Sequence, residues 1–247
     1  MKSILSAANP YIKELACLHQ KKGRSEKGQF LVEGYHLVEE AKKAQLLQTV
    51  FILAEEQAIP GITNILVSQA VLDKLTKTKE PQPIVGLCRI PAYEMTKGNR
   101  FLLLDDIQDP GNMGTLFRSA FGFGIDWVIV SPNCVDLYND KVIRATQGAI
   151  FHQKHIEMDL SEALIALKSK NIPVFGTALD QATNLAAIKP PHQYGLLLGN
   201  EGSGVHPWYL ASCDQVVRIE TNPNLESLNV GVAGSILMYY FFKEKGE

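Results

Sequence analysis

Residues 101–120 read F-L-L-L-D-D-I-Q-D-P-G-N-M-G-T-L-F-R-S-A, and this stretch decides the fold. Phe101–Leu104 is apolar without alternation, the pattern of a strand covered on both faces in a parallel sheet. A polar, glycine-bearing loop follows, and a helix is expected from about Gly114 to Gly122, carrying Arg118. The same order recurs downstream. Strands are expected at 127–130, 174–177, 196–199 and 216–219, with a short segment near 155–158. Helices are expected near 139–146, 161–169 and 206–211 and at the end of the chain. Strand and helix in alternation argue for an α/β fold with a parallel sheet covered on both faces.

Upstream lies a second, smaller α/β pattern. Asn9-Pro10 has the form of a helix cap with proline at the first helical position. Lys21 to Gly28 reads as a basic, glycine-bearing loop. Strands are expected at 29–32, 49–53, 65–67 and 84–88, with helices at 35–44 and 68–75. Pro91 to Asn99 (P-A-Y-E-M-T-K-G-N) has linker composition, which places two domains at 1–95 and 96–247.

With 46% apolar and 20% charged residues, the 247-residue chain has the composition of an ordinary globular protein with ample core. Its net charge of −2 argues against a purely electrostatic nucleic-acid binder, but the charge is uneven. Residues 1–97 carry 13 Lys+Arg against 10 Asp+Glu, and residues 98–247 carry 11 against 16. Lys21, Lys22, Arg24 and Lys27 concentrate the positive excess, as a solvated loop or as a phosphate contact. The four cysteines form no CxxC and fit a reducing cytoplasm. No apolar run approaches the length of a signal peptide or a membrane span.

Several chemistries are disfavoured. Gly199-x-x-Gly202-x-Gly204 is not the dinucleotide-binding glycine order, and there is no P-loop. His152 and His155 have no carboxylate at metal-site spacing, so no metal is expected. There is no G-x-S-x-G elbow for a hydrolase nucleophile. What stands out is polar residues on loops that each follow an apolar strand: Asn112 and Arg118, then Asn200 and Glu201, then Glu226, Ser227 and Asn229. Ligands of parallel sheets sit at the carboxyl ends of the strands, so the three loops are expected to converge on one site. The last loop, Asn222-Pro223-Asn224 to Asn229, opens a helix that is apolar almost all round. Its small residues Gly231, Ala233, Gly234 and Ser235 admit a close neighbour, either a backbone or a ligand.

These three stretches carry a resemblance. The segment L-D-D-I-Q-D-P-G-N-M-G-T-L-F-R-S-A resembles the first motif of the SpoU/TrmH RNA ribose methyltransferases. L-L-L-G-N-E-G-S-G-V resembles the second, and E-S-L-N-V-G-V-A-G-S-I-L the third. The region before them, with F-L-V-E-G-Y-H-L-V-E-E-A, is similar to the small substrate-binding domain found ahead of that catalytic domain. The resemblance implies a SPOUT domain with a trefoil knot, a site for S-adenosylmethionine (AdoMet), an RNA substrate and a homodimer. It implies catalytic roles for Asn112, Arg118, Glu201, Ser227 and Asn229. It implies cofactor contacts at Thr177, Gly199, Asn200, Gly202, Ile219 and Leu228, and with a front domain that delivers substrate the basic cluster Lys21, Lys22, Arg24 and Lys27 is expected to contact RNA phosphates. Two departures stand against the pattern: I-E-T-N-P-N replaces an I-P-M-x-G-like run, and Gly231 a frequent serine. A non-catalytic RNA-binding module and an AdoMet enzyme acting on a base or small molecule are the alternatives.

Overall fold

The computed structural model describes residues 2–95 and 97–243. The chain forms two compact units. One holds the residues up to Ala92 together with Asp136–Phe151, and the other holds Tyr93–Val135 and the chain from His152 onward.

The first unit begins with β1 (Lys2–Ile4) and α1 (Pro10–Ala16), whose Asn9 side chain accepts the N–H of Tyr11 at 2.9 Å. The expected basic loop is instead a helix, α2 (Lys21–Lys27). Gly23 is there because a Cβ would lie 2.2 Å from the carbonyl oxygen of Cys17, and Gly28 ends the helix at a φ of 61°. Then come β2 (Gln29–Glu33), α3 (Tyr35–Lys43), β3 (Leu47–Ile52), β4 (Thr63–Val67), α4 (Gln69–Leu75) and β5 (Ile84–Arg89). The sheet order is β1-β4-β3-β5-β2, with β5 antiparallel to both neighbours. Ile12, Leu15, Phe51, Val71 and Leu72 form a core between this sheet and helices α1 and α4.

The second unit starts with β6 (Arg100–Leu104), α5 (Pro110–Gly122) and β7 (Trp127–Val130). Helix α5 starts earlier than the glycines suggest, because Asp109 accepts the N–H of Asn112 at 2.8 Å and Pro110 takes the first helical position. After β7 the chain enters α6 (Asp140–Thr146) and α7 (Ala149–His152). It returns as β8 (His155–Glu157), α8 (Leu160–Ser169), β9 (Val174–Thr177), β10 (Thr183–Asn184), β11 (Tyr194–Leu198), α9 (Pro207–Ala211), β12 (Gln215–Arg218) and α10 (Val230–Lys243). The sheet is wholly parallel, in the order β10-β12-β9-β11-β6-β7-β8. Its inner strands β7 and β11 are buried throughout and β6 is buried from Phe101 to Leu104, as these apolar runs require.

Thr96, at the expected 95/96 boundary, lies outside the described residues. Residues 136–151, between two strands of the second sheet, belong with the first unit. Side-chain chemistry explains why. Phe30 on β2 meets Tyr138 at 4.8 Å and Phe151 at 6.2 Å between ring centroids, and buried Arg24 pairs with Asp136.

In the second unit the small residues of α10 admit a helix. A Cβ on Gly234 would lie 2.4 Å from Leu116 Cδ2, and one on Gly231 would lie 3.2 Å from Thr115 Cβ. Ser235 and Ser119 share a hydrogen bond of 2.7 Å. Thus α10 lies directly on α5, and glycine rather than serine at 231 leaves room for Thr115.

Candidate functional site

The carboxyl ends of β6, β11 and β12 share one edge of the sheet, and the loops that leave them are tied together. Asn200 does much of this. Its Oδ1 accepts the N–H groups of Gly202 and Ser203 at 2.8 and 3.2 Å, and its Nδ2 donates to the carbonyl of Asp106 at 2.9 Å. Asn200 and Gly204 also exchange two backbone hydrogen bonds, which close the second glycine loop on itself. Gly199 must be glycine here, because a Cβ would stand 2.2 Å from the backbone of Gly204 and Val205.

Asn112, in the first turn of α5, joins all three loops. Its Nδ2 donates to Glu201 Oε1 at 2.5 Å, and its Oδ1 accepts from Asn229 Nδ2 at 2.8 Å. Asn229 in turn accepts the N–H of Val232 at 3.2 Å, so one side chain caps α10 and anchors it to α5. The expected convergence of the loops is present, and Asn112 is its centre.

Other candidates take different places. Arg118 is exposed, six residues beyond Asn112 and about 120° round the helix, with no hydrogen bond or ion pair among the described residues. Ser227 is exposed on the loop before α10. Thr177 Oγ1 donates to the carbonyl of Leu197 at 3.1 Å, so its hydroxyl fastens β9 to β11. Gly202 is open, its nearest neighbour being Asn200 Oδ1 at 3.5 Å from an added Cβ. Gly199, Ile219 and Leu228 follow β11, follow β12 and precede α10. Among the described residues no backbone hydrogen bond engages their main-chain groups. A ligand offering both donors and acceptors, as an adenine ring does, suits such groups at a strand edge.

In the basic cluster the structure corrects one residue, Arg24. Arg24 is 6% exposed, and its guanidinium pairs with Asp136 and donates to the carbonyl of Leu18 at 2.7 Å. It is a buried structural cation and is not available to an RNA phosphate. Lys27 pairs with Glu14, and that hydrogen bond raises its pKa. Lys22 lies 3.9 Å from Glu26, while Lys21 and Lys22 are both exposed.

Sequence reasoning missed the support of the first loop. Asp105 is buried and its Oδ2 accepts the N–H of His206 at 2.9 Å, while burial pushes its carboxyl pKa upward. Asp106 holds a φ of 55°, and its N–H donates to Ser131 Oγ at 3.0 Å. Two aspartates directly after an apolar strand were the available signal. Among the described residues no group of His, Cys, Asp and Glu could hold a metal, and no helix is long and apolar enough to cross a membrane.

An all-parallel α/β domain with three joined loops at its carboxyl edge, attached to a small mixed-sheet unit, defines the class: a ligand-binding catalytic domain with an accessory domain. Residues 99–239 match the SpoU rRNA Methylase family, and residues 9–86 match the MRM3-like substrate binding domain. The chain therefore belongs to the SpoU rRNA methylase family, within the SPOUT fold. It is 36% identical over 245 residues to the 23S rRNA (guanosine(2553)-2'-O)-methyltransferase RlmP of Bacillus subtilis (strain 168), covering 97% of this chain and 99% of that one. A solved RNA 2'-O ribose methyltransferase superposes with a TM-score of 0.83 at 28% identity, covering 98% of this chain and 99% of its own. The AdoMet-bound rRNA methyltransferase from Sinorhizobium meliloti gives a TM-score of 0.87 at 25% identity, covering 100% and 99%.

Proposed function

We propose that this chain transfers the methyl group of AdoMet to a ribose 2′-OH of RNA. The observation that carries the reading is Asn112 bridging Glu201 and Asn229, which brings the three motif loops to one place. AdoMet, when bound, supplies an electrophilic methyl group on a sulfonium. Gly199, Ile219 and Leu228 would hold it through their main-chain groups, with Gly202 keeping the loop open on the approach side. Asn200 shapes that loop, and Thr177 acts through the sheet beneath it.

The chain's own task is to place the 2′-OH in line with the methyl while the hydroxyl proton passes to a neighbouring RNA phosphate oxygen. Asn112, Glu201, Ser227 and Asn229 form the polar wall of the site. Arg118, with its planar fork of N–H donors, is assigned to the substrate phosphate and the developing oxyanion.

We assign RNA capture to the first unit, with exposed Lys21 and Lys22 as phosphate contacts. A homodimer is part of the same reading. Val232, Ile236 and Tyr239 form an exposed apolar stripe on α10 at helical spacing, and Phe242 adds to its end. The trefoil knot of the SPOUT fold and a cytoplasmic location complete it. The test is a map of ribose methylation across total RNA from cells with and without the gene. One ribose methyl should be lost, and the 23S rRNA guanosine named for the Bacillus relative is the first position to read. An unchanged ribose map, or a lost methyl on a base, would overturn the reading.

A further inference from the structure

The amino-terminal edge of the parallel sheet carries a second feature, at the opposite ends of the strands from the joined loops. Residues 97–99 before β6, Phe121 and 124–126 before β7, and 152–154 before β8 line an open groove of about 550 Å³. Its wall carries an aromatic platform. Phe121 is 52% exposed, and its ring lies on that of His152 with centroids 5.6 Å apart and planes 28° from parallel. Lys97 and Lys154 are exposed on the same groove, and the Lys154 ammonium sits 5.7 Å from the centre of the Trp127 ring. The carboxylate there, Asp126, is occupied in part. Its Oδ2 accepts the N–H groups of Asn99 and Arg100 at 2.7 and 3.0 Å.

We infer that this groove binds a single-stranded segment of the RNA substrate, with one base stacked on Phe121 and the neighbouring phosphates held by Lys97 and Lys154. An open aromatic face flanked by cations is the chemistry of single-strand binding, since every base has a π-face and every linkage an anionic phosphate. A purely apolar partner would leave both lysines without compensation. The groove lies at the far end of α5 from Asn112, with Phe121 nine residues and about 13 Å further along the helix, so it holds a different part of the RNA from the ribose that is methylated. The inference rests on the proposed RNA substrate.

Fluorescence anisotropy of the full chain with a labelled single-stranded RNA of about 12 nucleotides tests it, a length within single-strand site sizes. Phe121→Ala should weaken binding roughly tenfold, and Phe121→Trp should restore it. Replacing Lys97 and Lys154 together by Gln should lower the slope of log affinity against log salt by about 0.7 for each phosphate no longer neutralised. AdoMet affinity and melting temperature should be those of the wild type. If the wild type binds the RNA and Phe121→Ala binds it equally, the groove is not an RNA site while the functional reading stands. A change of oligomeric state in Phe121→Ala by light scattering, with RNA affinity intact, would assign the groove to a second copy and overturn the inference. A wild type that leaves total RNA unmethylated at every ribose would remove the functional reading as well.

Discussion

Asn112 and Glu201 are 89 positions apart and meet at 2.5 Å, amide nitrogen to carboxylate oxygen. The contact fastens the first turn of α5 to the glycine loop after β11. Because the same amide also accepts from Asn229, replacing it breaks two loop junctions together. Asn112→Ala should therefore weaken AdoMet binding and lower the rate of methyl transfer. Asn112→Asp should do the same, because it sets a carboxylate against Glu201. Calorimetry with AdoMet and single-turnover kinetics would read both, and wild-type values in Asn112→Asp would deny the junction any role.

The two glycines of the second loop should fail differently. Gly199→Ala forces a Cβ into backbone at 2.2 Å, so the loop and the stability of the unit should both suffer. Gly202→Val meets only Asn200 Oδ1, in ordinary contact at 3.5 Å, and should leave the melting temperature unchanged while reducing AdoMet affinity. Equal AdoMet affinity in a folded Gly202→Val would place the cofactor elsewhere.

Arg118 is exposed and makes no hydrogen bond or ion pair among the described residues. Arg118→Ala should leave folding and AdoMet affinity intact and reduce methyl transfer by about a hundredfold, the scale of a lost electrostatic stabiliser. Arg118→Lys should recover little, since an ammonium cannot reproduce the planar fork. Single-turnover rates at saturating AdoMet and RNA decide it, and a near-normal rate in Arg118→Ala would leave the residue a surface charge.

Arg24 makes the opposite prediction. Its side chain and that of Asp136 are 7% and 16% exposed, so removing one partner strands the other. Arg24→Ala should cost about 3 kcal/mol or more of stability in urea unfolding. Lys21→Gln and Lys22→Gln should cost almost nothing and should act only on RNA affinity.

His155 gives the second unit an acid-sensitive core position. Its ring lies 5.5 Å from those of Tyr93 and Phe117, and burial pushes its pKa down to about 4. The folded state thus refuses a proton that the unfolded chain accepts near the ordinary value of 6.5. Stability from the neutral ring is complete above pH 6.5, declines as the pH falls from 6.5 to 4, and is lost below that, a span of roughly 3 kcal/mol. His155→Leu should flatten unfolding free energy against pH across this window. An unaltered slope would show that other groups set the acid limb.

The sequence by itself determined the parallel α/β domain, since unbroken apolar strands and the loops after them are local patterns. It also determined the residues of the three loops, because Asn112, Glu201 and Asn229 each follow an element whose end is readable within a few positions. Their meeting could be expected from where parallel strands end. Only the tertiary structure decided which side chain would join them, because Asn112 reaches Asn229 across 117 positions. It also decided that Arg24 is buried, since a lysine- and arginine-rich run reads as solvated until Asp136, 112 positions later, arrives to neutralise it. The same partner explains why 136–151 leaves one unit for the other. Local periodicity records that Tyr138 and Phe151 need cover, and nothing in it names Phe30 as what covers them. The small residues of α10 were legible as a close approach, but a missing Cβ fits a ligand and a helix equally well. The packing of Leu116 into the space at Gly234 settled it for the helix.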